Sequence, residues 1–565
     1  MKRHIIPAII ALCLCSCSKL DLYPLDTGSN DSWYKTEDQM VMSIRGLYRT
    51  VFWPLDNDYW ADDHQSRSNL NIITGGTING ESSEVKNRWQ NCYKAIARAN
   101  TILANLDNAQ ERLGISEEKV RLYRAQTLVA RAAQYCILTT YFGDVVYVDK
   151  EISIEEAFRM GRTDKSEILE KVYADLETAA ADLPVSYTGS VELATRGAAL
   201  AIKARYALFN GEWQIAADAA RRCMDLGVYE LYPEFSKLFL ASTAHASENI
   251  LSWPRSVDLD ITLDPGNVMG YCTRNRGGYA SEYPSWELFC SFLCRDGKPI
   301  DESPLFNPHK PFENRDPRCA ATIAEFGTEH LGVIYDPNPY SFNVMNNITG
   351  KQIKNLDCNS NSMYASFNGL VRKKGVDEDW VNNQTFKVAP DYVFIRYAEV
   401  LLIYAEAKIE LGQIDASVLN AINSVRARAY GVQLSQTSAY PAVTARGQDE
   451  MRRIVRLERR MELAYEGLRY MDLLRWKLAE KALNQPNYGL LDNAGLKKLC
   501  DDGNWFFAYV PEIDEDGIAD FSRLYEDGLC KIISKRNFDA SKNYLWPIPS
   551  QEVLTNPFLG QNDNY

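Results

Sequence analysis

The sequence predicts a mainly α-helical protein: a tetratricopeptide-like helical-repeat scaffold that carries a large, irregular, loop-rich half. Three observations support this. Apolar residues recur at helical spacing in several stretches with clear start and stop signals. Two of those stretches form helix–turn–helix units of about 34 residues, the size of a tetratricopeptide repeat. Two long segments, 250 to 390 and 485 to 542, lose the helical period and fill with Gly, Pro, Asn and Asp.

The chain opens on an export pattern. Lys2 and Arg3 precede an apolar run, Ile5 to Leu14, of the length of a signal-peptide core and too short to span a bilayer. Leu14-Cys15-Ser16-Cys17 then resembles a lipoprotein processing box. On that reading residues 1–16 are removed and Cys17 carries the lipid; several acyl chains on one cysteine anchor a protein stably where a single chain does not. No later apolar run reaches 18 residues, so a helical span is not expected.

In the first repeat, a helix from Thr195 to Phe209 turns at Asn210-Gly211 and returns from Trp213 to Leu226, with Gly227 as the stop. In the second, a helix from Tyr392 to Leu411 turns at Gly412 and returns from Asp415 to Tyr430. Alanines cluster where paired helices must approach, including Ala198, Ala201, Ala204, Ala216 and Ala220. One hairpin cannot bury its own face, so repeats stack. Asp164-x-x-Glu167 reads as a capping box before Ile168, Val172, Leu176, Ala179 and Leu183, with Pro184 as a stop. Leu122, Ala125, Val129, Ala132 and Cys136 form another stripe, ending before Gly143-Asp144.

The net charge of −13 and the absence of a long basic run argue against nucleic acid and anionic membrane surfaces as partners. Of 13 cysteines, Cys13 and Cys15 leave with the signal and Cys17 is lipidated; no C-x-x-C pair is present and the other ten read as buried apolar groups. No cofactor or resident metal is expected. Asp514-x-Asp516-Gly517 looks like a calcium-loop fragment but lacks the later glutamate at EF-hand spacing, and reads as a turn. The composition is rich in rings instead, with 32 Tyr and 11 Trp. Each has a flat apolar face and a polar edge, which suits the C–H face of a sugar.

Several blocks, in order, resemble the SusD/RagB nutrient-uptake lipoproteins of Bacteroidetes. After the lipoprotein box come Leu20-Asp21-Leu22-Tyr23-Pro24, then Trp89-x-x-x-Tyr93-x-x-Ile96-x-x-Ala99-Asn100, then Tyr141-Phe142-Gly143-Asp144-Val145. Thr195-x-Gly197-Ala198-Ala199 and Asn314-Arg315-Asp316-Pro317-Arg318 follow. Ile395 to Ala407 looks like the family's central helix. Glu458-Arg459-Arg460-Met461-Glu462-Leu463-Ala464-Tyr465-Glu466-Gly467 through Arg475-Trp476 resembles its most specific block. Tyr544-Leu545-Trp546-Pro547-Ile548-Pro549, Asn556-Pro557 and Gln561-Asn562 complete the series. The resemblance implies an outer-membrane lipoprotein of two regions, 17–240 helical and 241–565 bearing irregular ligand-binding loops. It also implies a SusC-like TonB-dependent porin as partner, an oligosaccharide as the usual ligand, and no catalysis.

Glu458, Glu462 and Glu466 fall at four-residue steps and would repel one another unpaired. With Arg459, Arg460, Arg469, Asp472, Arg475, Arg396 and Glu399 they are expected to form a partly buried ionic network. The ligand candidates are Trp60, Asp62, Asp63, Arg67 and Asn69, where rings stand beside charged hydrogen-bonding groups, and Tyr271, Arg274, Tyr279, Tyr283 and Trp286 in the irregular half. Trp89 reads as core. Two alternatives compete with glycan capture. One is a glycoside hydrolase using Asp62 or Asp63 with a second carboxylate; the other is a tetratricopeptide adaptor without sugar affinity.

Overall fold

The computed structural model describes residues 33–67, 70–187, 193–382 and 385–565. Cys17, its processing box, the Leu20–Pro24 block and Asn69 lie outside them. Among the described residues no helix is long and apolar enough to cross a membrane.

The helical scaffold is built in sequence order. After α1 (Glu37–Leu47) come α2 (Ser83–Leu106), α3 (Glu117–Phe142), α4 (Lys165–Asp182), α5 (Arg196–Phe209) and α6 (Trp213–Met224). Then, about 170 residues later, come α7 (Tyr397–Glu410), α8 (Ala416–Ala429), α9 (Gln448–Leu463) and α10 (Arg469–Arg475). Each of α2 to α7 packs on the next, so α7 joins the stack directly behind α6, and α8 and α9 both pack on α7. The layer therefore runs through the boundary drawn at residue 240. The alanines do the work expected of them: Ala198, Ala201, Ala204, Ala216 and Ala220 are all fully buried.

The ends of these helices follow local chemistry. Thr195 and Asp415 accept backbone N–H bonds at the starts of α5 and α8. Asp164 caps α4 through the Ser166 N–H; the reciprocal half of the expected capping box is missing. Gly143, Gly227 and Gly412 take positive φ at helix ends or turns, as read. The helix expected from Tyr392 is corrected. Tyr392–Arg396 is a strand, β8, antiparallel to β2 (Asn249–Trp253), and the helix begins at Tyr397. Val393, Phe394 and Ile395 suit a pleated surface, and a partner strand decides the matter.

The loop-rich half holds short elements, as expected. β1 (His64–Ser66) pairs with β3 (Glu282–Pro284). β4 (Thr328–His330), β5 (Val333–Tyr335), β6 (Asn343–Asn346) and β7 (Lys351–Lys354) make an antiparallel sheet. β9 (Pro486–Gly489) pairs with β10 (Lys531–Lys535).

Two large cores and two small ones result, and α9 lies between the large pair. Met451 and Val455 belong to the helical core, Leu457 and Met461 to the core of the loop half. That position buries Glu458, Arg459, Arg460 and Glu462 near the end of α9 as well, and they are neutralised in three clusters. Glu458 pairs with Arg318 at 2.8 Å and Arg426 at 2.7 Å. Glu462 pairs with Arg318 at 3.1 Å, Arg396 at 2.8 Å, and Arg428. Glu248, at 2.6 Å from Arg396 and 2.7 Å from Arg428, closes the first cluster. In the second, Glu406 and Asp472 hold Arg475 and Arg459. The third joins Arg460 and Arg469 to Asp62 and Asp63. Glu399 pairs with Arg205 at 2.6 Å, away from these.

Glu466 is not on the α9 face where four-residue spacing put it. α9 ends at Leu463, and Glu466 sits in the turn beyond, still bonded to Arg396 and to Lys374 at 2.6 Å. Gly467 explains that turn. It has φ +71, its N–H donates to Asp58 at 3.0 Å, and a Cβ there would come within 2.5 Å of the Asp56 carbonyl.

The ten described cysteines are unpaired and all but Cys500 are buried. At the Asp514–Gly517 turn the Lys481 ammonium lies 2.7 Å from both Asp514 and Asp516, where a cation would sit.

Candidate functional site

The residues proposed from sequence divide into a buried group and an exposed one. Asp62 and Asp63 are 1 % and 3 % exposed. Arg469 grips Asp62 with two N–H bonds of 2.8 and 2.9 Å, and Arg460 bridges Asp62 and Asp63 at 2.8 Å each. Burial raises the Asp62 pKa, but Arg460 and Arg469 overrule it and hold the carboxyl well below the ordinary range. These oxygens are committed to the protein and do not meet a ligand, so the expectation for both aspartates is corrected. The same pattern of rings beside acids serves a buried ion-pair frame.

Trp60 is corrected too. It is 3 % exposed, edge-on to Tyr470 and Trp546, with Arg88 5.4 Å over its ring. A ring without an open face cannot stack on a sugar. Tyr283 is fully buried, and Trp286 is buried among Phe506, Phe507 and Phe521, its indole N–H bonded to the Asn368 carbonyl at 2.9 Å. Trp60→Ala is therefore expected to cost about 3–5 kcal/mol of stability, read as a lower urea midpoint, rather than to weaken a ligand selectively. Trp89 is buried against Phe142, as expected.

Arg67, Arg274, Tyr271 and Tyr279 come together with residues the sequence reading missed. The third ionic cluster sits beneath the β1–β3 ribbon, where Ser285 bonds the backbone carbonyls of Asp62 and Asp63. The ribbon continues one step to Arg67, whose N–H donates to the Ser281 carbonyl at 2.8 Å. The Arg67 guanidinium then ties two loops together. Its Nη2 donates to the carbonyls of Tyr279 and Ala280, at 2.5 and 2.8 Å, and of Tyr364. Both tyrosine rings stay open to solvent, Tyr279 at 45 % and Tyr364 at 51 %. Arg67 and Arg274 lie 5.5 and 5.9 Å from the Tyr364 ring centre. Tyr364 could have been noticed: Met363-Tyr364 is an apolar pair in a run of Asn and Ser.

Beside this rim lies a cavity of about 280 Å³, lined by Tyr59, His64, Ser66, Asn71, Asn267, Tyr271 and Glu282, among others. Glu282 is held there by Ser66 at 2.9 Å and His64 at 3.2 Å. Tyr271 and Asn267 also line a second cavity of about 310 Å³ that reaches Asp58, Arg372 and Trp380. Tyr271 stands as the shared wall, with Arg372 4.7 Å over its ring; burial pushes its hydroxyl up to about 12. Exposed rings beside a polar hollow can stack on sugar faces and bond hydroxyls. Among the described residues no cluster of His, Cys, Asp and Glu could hold a metal ion.

The fold and this rim define a helical-repeat protein that carries a group of exposed rings on its loops. A family model described as the SusD family matches residues 255–565, and one described as starch-binding associating with outer membrane matches residues 48–208. The chain belongs to the SusD/RagB family. It is 26 % identical to the SusD-like protein P2 of Formosa agariphila, over 100 % of this chain and 99 % of that one. Among solved structures, a SusD-like carbohydrate-binding protein of Bacteroides fragilis is 27 % identical, covers 93 % of this chain and 99 % of its own, and superposes with a TM-score of 0.74. A surface glycan-binding protein of Bacteroides uniformis shares the fold at 18 % identity, with 93 % and 99 % of the two chains covered and a TM-score of 0.60.

Proposed function

We propose that this protein captures oligosaccharides at the cell surface and passes them to a SusC-like TonB-dependent porin, without catalysing a reaction. It is tethered to the outer membrane through lipid on Cys17, the helical layer docks on the porin, and the loop half takes the ligand. The observation that carries this reading is the pair of open tyrosine rings, Tyr279 and Tyr364, on loops whose backbone carbonyls one guanidinium holds, beside a polar hollow. The carbohydrate-binding description of the Bacteroides fragilis relative supports the ligand class, and the outer-membrane description of the family supports the location. The hydrolase alternative named Asp62 and Asp63, and both are engaged by arginines.

Calorimetric titration of the purified protein with a panel of oligosaccharides, alongside a reducing-end assay, tests the proposal. Saturable binding without release of reducing ends is expected. Absence of binding across the panel, or sustained release, would refute it.

A further inference from the structure

The rim has an electrostatic character that the overall charge of the protein conceals. Three cations surround its rings. Arg67 lies 5.5 Å from the ring centres of both Tyr364 and Phe367, Arg274 5.9 Å from Tyr364, and Lys531 5.9 Å from Phe367. Among the described residues none of the three forms an ion pair, whereas the buried arginines beneath are matched by carboxylates. The nearby acids are occupied elsewhere. Glu282 accepts a hydrogen bond from Ser66 and lies 3.2 Å from His64 Nε2, and Asp357 receives the backbone N–H groups of Arg274 and Asn275 at 2.7 and 3.1 Å. The Nε atoms of Arg67 and Arg274 are both buried without an acceptor. Burial and then the charge of Arg274 disfavour the charged form of Arg67, which Tyr283, Tyr364 and Glu282 partly offset.

Neutral sugar hydroxyls do not need three cations without a direct ion pair, of which Arg67 and Arg274 are offset by Glu282 and Asp357 only from beyond contact distance. Like charges gathered at an exposed surface cost free energy unless an anion joins them, and a guanidinium or ammonium bonds a carboxylate or sulfate about twice as strongly as a neutral group. A carboxylate is planar and a sulfate presents three oxygens; guanidinium bonds to either. The exposed rings supply stacking for the sugar that bears the charge.

Resting on the proposed role in glycan capture, we infer that the rim of Arg67, Arg274 and Lys531 around Tyr364 and Phe367 selects anionic glycans, bearing uronate carboxylates or sulfate esters. Arg67 also holds the loops through three carbonyls, so Arg274 and Lys531 are the residues to vary. Lys531 is exposed on a strand, and its removal should leave folding intact.

The test titrates the full protein with oligogalacturonides, sulfated galactan oligosaccharides, and neutral malto-, cello- and laminari-oligosaccharides. Wild type, Lys531→Gln and Arg274→Gln/Lys531→Gln are compared, each with its thermal midpoint. Expected is preference for one anionic class, weakened at least ~10-fold in the double variant and to a smaller degree in Lys531→Gln. The preference should also fall steeply with added salt, because exposed charges are screened over about 8 Å at physiological ionic strength. The uronate and sulfate arms identify which anion is bound. Binding of neutral glycans alone, or anionic binding unchanged in both variants, overturns the inference and leaves glycan capture standing. No binding to any probe overturns both.

Discussion

Replacing Glu462 with alanine is expected to cost about 3–5 kcal/mol of folding stability, the usual price of removing one partner from a buried ionic network. Glu462 is fully buried and bonds Arg318, Arg396 and Arg428 at once. Without it three guanidiniums face one another, and Glu248 and Glu458 cannot compensate because their own oxygens already serve the same arginines. Since whole domains are stable by about 5–15 kcal/mol, this loss should lower the urea midpoint severely or leave the protein insoluble. Arg159→Ala is the contrast: its pair with Glu155 is exposed on both sides, and the change should be under about 0.5 kcal/mol. A Glu462→Ala midpoint close to wild type would show that the network does not hold the fold.

Acid should expose the same dependence. Burial raises the Glu462 pKa, but Arg428, Arg396 and Arg318 outweigh it and set the carboxyl below its ordinary 4.5. A carboxyl with a depressed pKa in the folded state takes up its proton more readily when unfolded. Its stabilisation is complete above about pH 4.5 and declines as pH falls through the folded value. The gap in stability between wild type and Glu462→Gln should therefore be widest near neutrality and narrow below pH 4.5, where other groups titrate equally in both proteins.

The second large effect is on binding. Tyr279→Ala/Tyr364→Ala should weaken oligosaccharide affinity ten- to a hundredfold, about 1.4–2.8 kcal/mol, within the range for removing anchoring aromatic groups. Both rings are about half exposed, and the loops are held through backbone carbonyls that alanine retains. The thermal midpoint should therefore scarcely change. Trp60→Ala reverses the pattern, because that ring lies wholly inside. Measured together, the two variants separate the frame from the rim: one loses stability, the other affinity. Retained affinity in a folded Tyr279→Ala/Tyr364→Ala protein would place the ligand elsewhere.

Much of the scaffold was legible because helices announce themselves locally. Thr195, Asp415, Gly227 and Gly412 mark their ends within a few residues, and the buried alanines follow from the spacing. The strand at Tyr392–Arg396 was not legible, because its partner lies about 140 residues earlier. The charged block read correctly as a network, yet Arg318, Arg426, Arg428 and Glu248 could not be assigned to it from spacing. They arrive from distant segments.

The site was the hardest part. Asp62 and Asp63 look alike whether they face a sugar or an arginine, and Arg460 is 398 residues from Asp62. Arg67, Arg274, Tyr271 and Tyr279 were singled out because rings and guanidiniums crowd in two short stretches. Tyr364 was missed because one ring in a polar loop gains meaning only when Arg67 brings that loop to Tyr279.

In the proposed arrangement a buried ionic frame positions an exposed tyrosine rim, and the rim takes the ligand. A crystal structure with a bound oligosaccharide tests it most directly. A sugar ring stacked on Tyr279 or Tyr364 is expected, within hydrogen-bonding reach of Arg67 or Arg274, with Asp62 still held by Arg460 and Arg469. A sugar seated instead in the 540 Å³ groove of the helical layer beside Trp89 and Tyr93, with the tyrosine rim bare, would contradict it.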